Sequence, residues 1–409
     1  MPAQEAMASS TTSNSASNSS RNGRRSFDAI VVGAGVIGLA VGWRAAQRGL
    51  SVVVVDGEHP ARGATHAAAG MLAPVTEAAF GEEQLLALNL ESARAYPGFV
   101  AELESEAQME TDYRPSGTLT VALDRDDAEL LRRLHRFQLS LGLESQWLRP
   151  SECRRLEPSL APRLAGGMRT EVDHQVDPRR LAAALGAALE RAGGTLLANA
   201  PVLRLTTAEG AVTGVELNGG ERLEADRVVV AAGWRSGELA GLPERARVPV
   251  RPVKGQILRL RATPGAALPR RVVRTPEVYL VPRAGGEVVV GATVEELGPD
   301  VRVTAGGVLD LLRAAYRAVP AVAELELVET LAGLRPASPD NRPVVGRGAL
   351  DGLIWATGHW RNGVLLAPTT ARAVAGLLAG EELPGHMAPF APDRFGAGVP
   401  APEAVRHET

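Results

Sequence analysis

The sequence predicts an α/β fold in which a Rossmann-like βαβ unit is combined with a strand-rich second part that is discontinuous along the chain. Three observations predict this fold. A glycine-rich turn near the N-terminus separates a short apolar segment from a helical one. Helical and strand-like segments alternate through the rest of the chain, with many short strands between 195 and 334. The 409 residues are 45% hydrophobic and 22% charged, which is enough apolar mass for two domains.

Charge and cysteine content exclude several classes of protein. Lys and Arg number 44 and Asp and Glu 47, so the net charge of 44 − 47 = −3 gives no electrostatic reason to expect nucleic-acid binding. Cys153 is the only cysteine, which excludes an intrachain disulfide and a cysteine-rich zinc site. No uncharged apolar segment reaches the roughly 20 residues that a membrane span requires. We therefore expect neither a nucleic-acid partner nor a membrane span.

The two ends of the chain are predicted to lie outside the folded part. Residues 1–26 are rich in Ser, Thr and Asn and contain almost nothing apolar, which is typical of a disordered tail. The pair Arg24-Arg25 has some likeness to a twin-arginine export signal. The segment after it carries Asp28 and is predicted to be a folded strand, which favours a cytoplasmic location. A second loose tail is predicted over 391–409, which is rich in Pro, Gly and Ala.

The first folded unit is predicted to be a strand, a helix and a second strand. The sequences AIVV at 29–32 and SVVVV at 51–55 are short, continuous apolar runs, as in buried parallel strands. Residues 36–49 have helical spacing and stop at Gly49, a residue suited to a helix C-terminus. Together these segments form one βαβ unit.

The turn between the first strand and the helix has the pattern G-x-G-x-x-G. Gly33 permits a tight turn, Gly35 lets the backbone approach a pyrophosphate, and Gly38 allows the helix to pack closely on the strand. Asp56, at the end of the second strand, is placed to accept hydrogen bonds from a ribose, and its charge disfavours a 2′-phosphate. The pattern therefore predicts binding of FAD or NAD rather than NADP. The alternative is a tight turn with a purely structural role.

Three further regions have clear patterns. Residues 61–75 form a loop of small residues that would let a bulky planar group approach the main chain, although a flexible loop would look the same. Helices are predicted over 177–194, with Asp177 as N-cap, and over about 304–318. Residues 352–381 are predicted to form a strand, a glycine-rich turn and a helix.

Arg335 and Arg361 are isolated polar residues in otherwise apolar or glycine-rich surroundings. An arginine at a strand end can form a bidentate pair with a carboxylate. The alternative for each is a solvated side chain or a structural ion pair. His66 and His359 lack metal-binding spacing, and no G-x-S-x-G motif is present, so we expect neither a metal nor a serine nucleophile.

Taken together, these segments resemble the D-amino-acid oxidase family of FAD-dependent oxidoreductases, and within it the glycine oxidases of thiamine biosynthesis. The likeness runs from about Phe27 to Phe390. Six ordered segments carry it: GAGVIG, ATHAAAGML, VKGQ, YLVPR with GEVVVGAT, LAGLRP with RPVVG, and GHWRNGVLLAP. The resemblance implies a Rossmann-like FAD-binding domain and a discontinuous substrate domain with an antiparallel sheet.

The resemblance also implies which residues contact the cofactor, noncovalently bound FAD. In addition to the three glycines of the turn, the resemblance assigns further residues to contacts with the diphosphate, the ribose, the adenine and the flavin. They are Val36, Ile37, Asp56, Gly57, Ala64, Thr65, Ala69, Gly70, Met71, Val202, His359, Trp360, Arg361, Asn362, Gly363, Val364 and Leu365. Noncovalent attachment is expected because Cys153 lies far in sequence from the C-terminal flavin loop.

For the substrate, the resemblance implies that Tyr279 and Arg335 hold a carboxylate and that Arg361 makes a further contact. Two positions that the resemblance places at the pocket depart from the family pattern: Glu277 stands where relatives have His, and Val294 where they have Met. The implied division assigns 27–75, 150–247 and 335–390 to the FAD-binding domain. It assigns 76–149 and 248–334 to the substrate domain.

The activity implied is oxidative deamination of glycine or another small primary or secondary α-amino acid to the 2-oxo acid. O₂ would be reduced to H₂O₂, the product would feed synthesis of the thiamine thiazole, and the enzyme would be a homotetramer. One alternative keeps the fold but passes electrons to an acceptor other than oxygen, as in D-amino-acid dehydrogenases. Another is a dinucleotide-binding module without turnover.

Overall fold

We analysed a computed structural model of the chain, which describes residues 25–262, 265 and 267–396. Twenty strands are numbered in chain order. They are β1 (Arg25–Phe27), β2 (Ala29–Val32), β3 (Val52–Val55), β4 (Met71–Leu72), β5 (Thr118–Ala122), β6 (Gln146–Leu148), β7 (Gly166–Thr170), β8 (His174–Gln175), β9 (Thr195–Leu197), β10 (Val202–Ala208), β11 (Ala211–Leu217), β12 (Arg222–Ala225), β13 (Val228–Val230), β14 (Arg251–Arg261), β15 (Val272–Arg274), β16 (Tyr279–Pro282), β17 (Glu287–Gly291), β18 (Glu326–Ala337), β19 (Val344–Arg347) and β20 (Leu353–Thr357).

Eight α-helices pack around these strands in the described part of the chain. They are α1 (Val36–Gln47), α2 (Ala64–Ala67), α3 (Glu83–Ala107), α4 (Arg125–Ser140), α5 (Pro150–Leu156), α6 (Pro178–Arg191), α7 (Ala305–Ala318) and α8 (Gly363–Leu378). The predicted helices correspond to α1, α6, α7 and α8. Asp177 caps α6 as expected, because its carboxylate accepts from the backbone N–H groups of Arg179 and Arg180.

A six-stranded sheet with the order β19-β20-β13-β2-β3-β9 contains the predicted βαβ unit. The pairs from β20 to β9 are parallel, and only β19 runs antiparallel to its neighbour. Strands β2, β3 and β13 are buried along their whole length, which explains their continuous valine and isoleucine sequences. Helices α1, α3, α6 and α8 cover this sheet through one large apolar cluster.

An eight-stranded, mostly antiparallel sheet has the order β18-β14-β17-β16-β15-β5-β7-β6. Strands β14 and β18 pair over their full lengths, from Arg251↔Ala337 to Arg261↔Glu326. Strand β7 belongs to this sheet, although the division based on sequence assigned 150–247 to the FAD-binding part. Conversely, α3 lies within 76–149 but packs on the helices of the six-stranded sheet. The chain therefore passes between the part built on the six-stranded sheet and the part built on the eight-stranded sheet more often than the predicted division assumes.

The predicted tails lie mostly outside the described residues, which exclude 1–24 and 397–409. At the N-terminal boundary, β1 pairs in parallel with β12, with Phe27 opposite Ala225. Arg25 and Ser26, which the prediction assigned to the disordered tail, therefore belong to a strand, whereas the segment after Asp28 forms β2 as predicted. At the other end, 391–396 includes a short 3₁₀ turn over Pro392–Phe395. Over the described ranges, no helix has the length and apolar character needed to cross a membrane.

Candidate active site

The glycine-rich turn between β2 and α1 has the close packing that its three glycines predict. Gly33 has φ = +108°, a conformation that residues with a side chain rarely adopt. A Cβ on Gly38 would overlap the carbonyl oxygen of Gly33, so only glycine allows α1 to start this close to the turn. A Cβ on Gly35 would meet only the Thr65 Oγ1, at 3.4 Å. The backbone at Gly35 is thus open to approach by a ligand.

Helix α1 begins at Val36 and Ile37, and the N–H groups of its first turn have no partner within the helix, an arrangement that favours anion binding. The Val36 N–H donates to Thr65 Oγ1 at 3.0 Å, which brings the loop of small residues against the turn. Thr65 and Ala64 lie in the short helix α2 within that loop. Two segments that are 29 residues apart therefore meet at the position expected for a diphosphate.

Asp56 follows β3 and faces the same turn. Its carboxylate accepts from the Ala34 N–H at 2.6 Å and from the Glu58 N–H at 2.9 Å. Gly57 packs on Pro201, where a Cβ would meet the proline ring at 3.2 Å, and Val202 begins β10 directly afterwards. The residues assigned to ribose and adenine are therefore neighbours at the carboxyl end of β3.

Two arginines, the partly exposed Arg179 and the buried Arg283, support the rest of the small-residue loop. Arg179 Nε donates to the His66 carbonyl at 3.1 Å, and Arg283 Nη2 donates to the Ala69 carbonyl. Burial lowers the pKa of Arg283 to about 10, so it stays charged at neutral pH. Gly70 has φ = +70°, and a Cβ there would overlap the Val176 carbonyl. The arginine of the YLVPR segment thus holds the loop rather than a substrate.

The C-terminal loop before α8 has an unusual backbone conformation. Trp360 has φ = +48°, which is rare for a bulky residue, and its N–H donates to the Pro336 carbonyl at 2.8 Å. Asn362 precedes the first turn of α8, which contains Gly363, Val364 and Leu365. Helix α3 supports that turn, since Tyr96 Oη and Ser92 Oγ donate to the carbonyls of Val364 and Leu365.

The His359 side chain is directed at helix α8. It is buried, and its Nε2 lies 3.0 Å from the Thr370 Oγ1 of α8. Burial lowers the pKa of His359 to about 3, so the imidazole is neutral at physiological pH. A contact between His359 and the cofactor stays a prediction. Its imidazole is a structural element of the loop and not a base.

Tyr279 and Arg335 lie on one face of the eight-stranded sheet. Glycines provide the room for both: a Cβ on Gly291 would overlap the Tyr279 phenol, and one on Gly255 would overlap the Arg335 guanidinium. Arg335 Nη1 donates to the carbonyls of Lys254 and Thr293 at 3.2 and 3.1 Å. No carboxylate of the described residues lies within 4.0 Å of Arg335, and Glu77 interacts with its charge only from a greater distance.

The surroundings of Tyr279 link the sheet to the small-residue loop. Tyr279 packs in an apolar cluster with Ala69 and Met71. Burial raises the pKa of Tyr279, and the nearby Arg335 guanidinium opposes this rise without reversing it. The phenol is therefore a neutral hydrogen-bond donor beside a cationic group.

Glu77 is a residue of this site that sequence reasoning missed. It joins two arginines: Arg274 Nη1 lies 2.7 Å from Oε1 and Arg361 Nε lies 2.9 Å from Oε2. Burial alone would raise the pKa of Glu77, but Arg274 and Arg361 together hold it below its ordinary value. Arg274 was missed as well. Neither residue belongs to a recognisable sequence motif. The only signal for Glu77 was its position two residues after the small-residue loop.

The VKGQ segment supports Arg335 from the other face of the sheet. Lys254 is fully buried, with its Nζ 3.2 Å from Glu295 Oε2 and 3.8 Å from Asp300 Oδ2. Glu295 also accepts a hydrogen bond from the hydroxyl of Thr293. The carbonyl of Thr293 in turn accepts a hydrogen bond from Arg335. The lysine therefore holds the loop that positions the arginine.

The two departures from the family pattern are at solvent-exposed positions. Glu277 is exposed and pairs with Arg317 at 3.2 Å, and Val294 is 67% exposed.

Cys153 is buried in the core of the larger sheet, where burial raises the pKa of its thiol to about 11. Among the described residues, no group of His, Cys, Asp and Glu side chains could hold a metal ion.

Comparison with known families agrees with this geometry. A family model described as FAD dependent oxidoreductase matches residues 28–377. The chain belongs to this family of FAD-dependent oxidoreductases. The fold and family predicted from the six segments are thereby confirmed, and FAD is the cofactor. The residues at the glycine-rich turn fit it, because Gly35 leaves an open approach to the N-terminus of α1 beside Asp56.

Several members of the FAD-dependent oxidoreductase family are similar over most of this chain. The glycine oxidase of Geobacillus kaustophilus is 35% identical over 89% of this chain and 96% of its own length. A crystal structure of glycine oxidase from that organism superposes with a TM-score of 0.82 at 34% identity, covering 90% of this chain and 99% of the other. The iminodiacetate oxidase structure from Chelativorans sp. BNC1 has a TM-score of 0.80 at 30% identity, covering 89% and 98%.

A longer relative is the bifunctional protein ThiO/ThiG of Synechocystis sp., which is 35% identical over 90% of this chain. The match covers 54% of that protein. The chain thus spans about half the length of such bifunctional relatives.

Proposed function

We propose that this FAD-dependent oxidoreductase oxidises glycine or another small primary or secondary α-amino acid to the 2-oxo acid, with O₂ reduced to H₂O₂. The observation that carries the proposal is the Arg335 guanidinium, which has no carboxylate within 4.0 Å among the described residues. It lies beside the neutral Tyr279 phenol, on a sheet face that contacts the small-residue loop. The similarity to glycine oxidase over nearly that enzyme's whole length supports the same activity.

In this proposal Arg335 and Tyr279 bind the substrate carboxylate. Nη1 of Arg335 is directed by two backbone carbonyls, which leaves Nη2 and Nε for the ligand. A neutral Tyr279 donates a hydrogen bond to the same carboxylate, so the α-carbon is held in one orientation. FAD, when bound, supplies the two-electron oxidation of the amine. The imine product is then hydrolysed to the 2-oxo acid, which releases ammonia from a primary amino acid and a primary amine from a secondary one.

The proposal requires no protonatable base from the protein if the substrate amine enters neutral. The two histidines that the sequence singled out, His66 and His359, agree with this requirement. His359 is bonded to Thr370, and the His66 Nε2 lies 3.7 Å from Glu329 Oε1, an acid that also pairs with Arg179. Neither imidazole belongs to the group formed by Tyr279 and Arg335.

Three further properties belong to the same proposal. FAD is bound noncovalently, because Cys153 is buried among residues of the larger sheet and its thiol is a poor nucleophile. The enzyme is a homotetramer, and its product feeds synthesis of the thiamine thiazole. Similarity to a ThiO/ThiG protein supports the last point.

The test is an anaerobic substrate screen on the purified yellow protein. Glycine, sarcosine and D-alanine are added, and the flavin absorption band is followed. We expect bleaching, recovery of colour on admission of air, and stoichiometric H₂O₂. Recovery only with a dye would indicate another electron acceptor. A yellow protein that no amino acid bleaches would overturn the proposal and leave a module without turnover.

A further inference from the structure

The turn that carries Glu77 is held by a buried carboxylate from a distant part of the chain. Asp173, directly before β8, is fully buried. Its two oxygens accept from the backbone N–H groups of Val75 and Thr76 at 3.0 and 2.7 Å. Glu77 is the next residue. Asp173 therefore fixes the backbone from which the Glu77 side chain extends.

Helix α4 holds the same turn from another direction. The Gln138 side chain is fully buried, and its Nε2 donates to the Val75 carbonyl at 2.9 Å. The peptide group between Val75 and Thr76 is thus bonded at its carbonyl and at its N–H. A buried peptide group with both polar atoms satisfied by side chains has one favourable position.

Glu77 joins the two parts of the protein. Its Oε1 lies 2.7 Å from Arg274 Nη1 of β15, in the eight-stranded sheet that also carries Tyr279 and Arg335. Its Oε2 lies 2.9 Å from Nε of Arg361, in the loop that follows β20. Strand β20 belongs to the six-stranded sheet, which contains the glycine-rich turn. The position of Glu77 therefore sets how the Tyr279 and Arg335 face lies relative to the FAD-binding part.

We propose that Asp173 is a positioning residue for amino-acid oxidation, which holds the Glu77 bridge in place when ionised and releases it when protonated. This inference rests on the proposed function. Asp173 acts through the turn and through Glu77, not on the substrate itself. Release of the bridge leaves the substrate carboxylate bound to Arg335 but slows reduction of the flavin, because the α-carbon is no longer held in one orientation.

Protonation changes what Asp173 can accept. The carboxylic acid keeps one acceptor oxygen, but its hydroxyl group would face an N–H donor, so one of the two hydrogen bonds is lost. Burial raises the pKa of Asp173 to about 6, although its hydrogen bonds and the charge of Arg274 oppose the rise. The turn is therefore held at neutral pH and released in mild acid.

The groups around Asp173 titrate elsewhere or not at all. Arg274 and Arg361 hold the pKa of Glu77 below its ordinary value, and burial lowers the pKa of His174, the next residue in β8. Helix α4 and strand β5 contribute the uncharged side chains of Gln138 and Thr118.

The test measures the rate of flavin reduction at saturating glycine, without oxygen, in holoenzyme at pH 7.5 and pH 5. Asp173→Asn keeps the shape of the side chain but cannot accept both N–H groups or titrate. With a pKa of about 6, roughly one tenth of the wild-type enzyme stays ionised at pH 5. We expect the variant to be about tenfold slower than wild type at pH 7.5 and only about twofold slower at pH 5. The Kd of glycine should change by less than about threefold, because Arg335 and Tyr279 are unaltered.

Glu157→Gln is the matched control. Glu157 is also fully buried and accepts from two successive backbone N–H groups, those of Arg270 and Arg271, at 3.0 and 3.1 Å. Burial raises its pKa as well. This variant should keep the wild-type ratio between the rates at the two pH values. The same loss of that ratio as in Asp173→Asn would overturn the proposal, since any buried carboxylate would then have the effect.

Glu77→Gln tests the route, and it decides the matter if Asp173→Asn does not fold. Without the bridging anion, the pH ratio should fall to that expected for Asp173→Asn. Combining the two substitutions should slow flavin reduction little beyond Glu77→Gln alone. A Glu77→Gln enzyme with the wild-type pH ratio would show that Asp173 does not act through Glu77.

The outcomes separate this inference from the proposed function. Equal rates for wild type and Asp173→Asn at pH 7.5 would overturn the positioning role and leave amino-acid oxidation standing. If no amino acid reduces the flavin, amino-acid oxidation fails, and a crystal structure of the Asp173→Asn holoenzyme decides the positioning role. It should show the ion pair between Glu77 and Arg361 broken, and an intact pair would contradict the proposal.

Discussion

The glycine-rich turn and the arginine cluster are built in opposite ways. The turn from Gly33 to Gly38 joins adjacent elements of one βαβ unit, and its acidic partner Asp56 follows the very next strand. The arginine cluster comprises Glu77, Arg274, Tyr279, Arg335 and Arg361, which come from five separate segments. One is a contiguous motif, and the other exists only once the eight-stranded sheet and its covering loops have assembled.

This difference separates cofactor binding from substrate binding. The turn contacts the rest of the protein through backbone atoms, so its function depends on glycines and one carboxylate. The cluster acts through its side chains: Glu77 pairs with Arg274 and Arg361, and Arg335 has no carboxylate within 4.0 Å among the described residues. We therefore expect substitutions in the cluster to change turnover without loss of FAD, and substitutions at the turn to do the reverse.

The largest expected effect is that of Arg335→Ala. It leaves the substrate carboxylate desolvated and unpaired, which costs about 3–5 kcal/mol for a buried pair. At 1.36 kcal/mol per factor of ten, kcat/KM for amino acids should fall by about 10²–10⁴-fold. Steady-state kinetics with glycine measure this, and FAD content should stay normal.

Arg335→Lys is the control for charge alone. Its kcat/KM should lie between those of Arg335→Ala and the wild-type enzyme, because an ammonium group cannot form a bidentate hydrogen-bonded pair with the carboxylate. An amine without a carboxylate should be almost indifferent to either variant. Equal slowing of such an amine and of glycine would show that Arg335 does not anchor the carboxylate, and the proposed division between the two regions would fail.

A smaller effect is expected for Asp56→Ala. The variant removes an acceptor for two backbone N–H groups as well as the expected ribose contact. A hydrogen bond to a charged group is worth about 1.5–3 kcal/mol, so FAD should bind roughly 10- to 100-fold more weakly. Titration of the apoprotein with FAD measures this. Asp56→Asn should lose less, and the kcat/KM ratio between two amines should not change. Unaltered FAD affinity would make Asp56 a structural residue only.

The smallest expected effect concerns the pH dependence of stability at His359. Its pKa is about 3 in the folded protein and about 6.5 when unfolded, so the unfolded state takes up a proton first as pH falls. This contribution to stability is present above pH 6.5 and is lost on acidification. Between pH 7 and pH 5 the loss is about 2 kcal/mol.

His359→Gln should remove this part of the acid sensitivity, measured by urea unfolding at the two pH values. His386→Gln is the control, because His386 is exposed and pairs with Glu91 on the surface. A histidine that faced a solvated flavin site would not show this difference. The same slope in wild type and His359→Gln would therefore argue that the imidazole is not enclosed.

The sequence by itself determined the elements whose information is local. Continuous valine runs predicted β2 and β3, glycine spacing predicted the turn, and capping residues predicted α6. It also identified Arg335 and Tyr279 as candidates, because their segments resemble a known family. It assigned no element to α3, whose Ser92 and Tyr96 support the first turn of α8.

Only the tertiary structure decided which charges meet. Glu77 and Arg274 are 197 residues apart, and Arg335 is directed by carbonyls of β14 and of the loop that Lys254 holds. The division of the chain likewise depends on strand pairing, since β7 joins the larger sheet through partners such as β5. Local patterns record hydrogen bonding and burial within one element. Pairing of distant charges depends on the sheet register and on helix packing, which no short stretch of sequence contains.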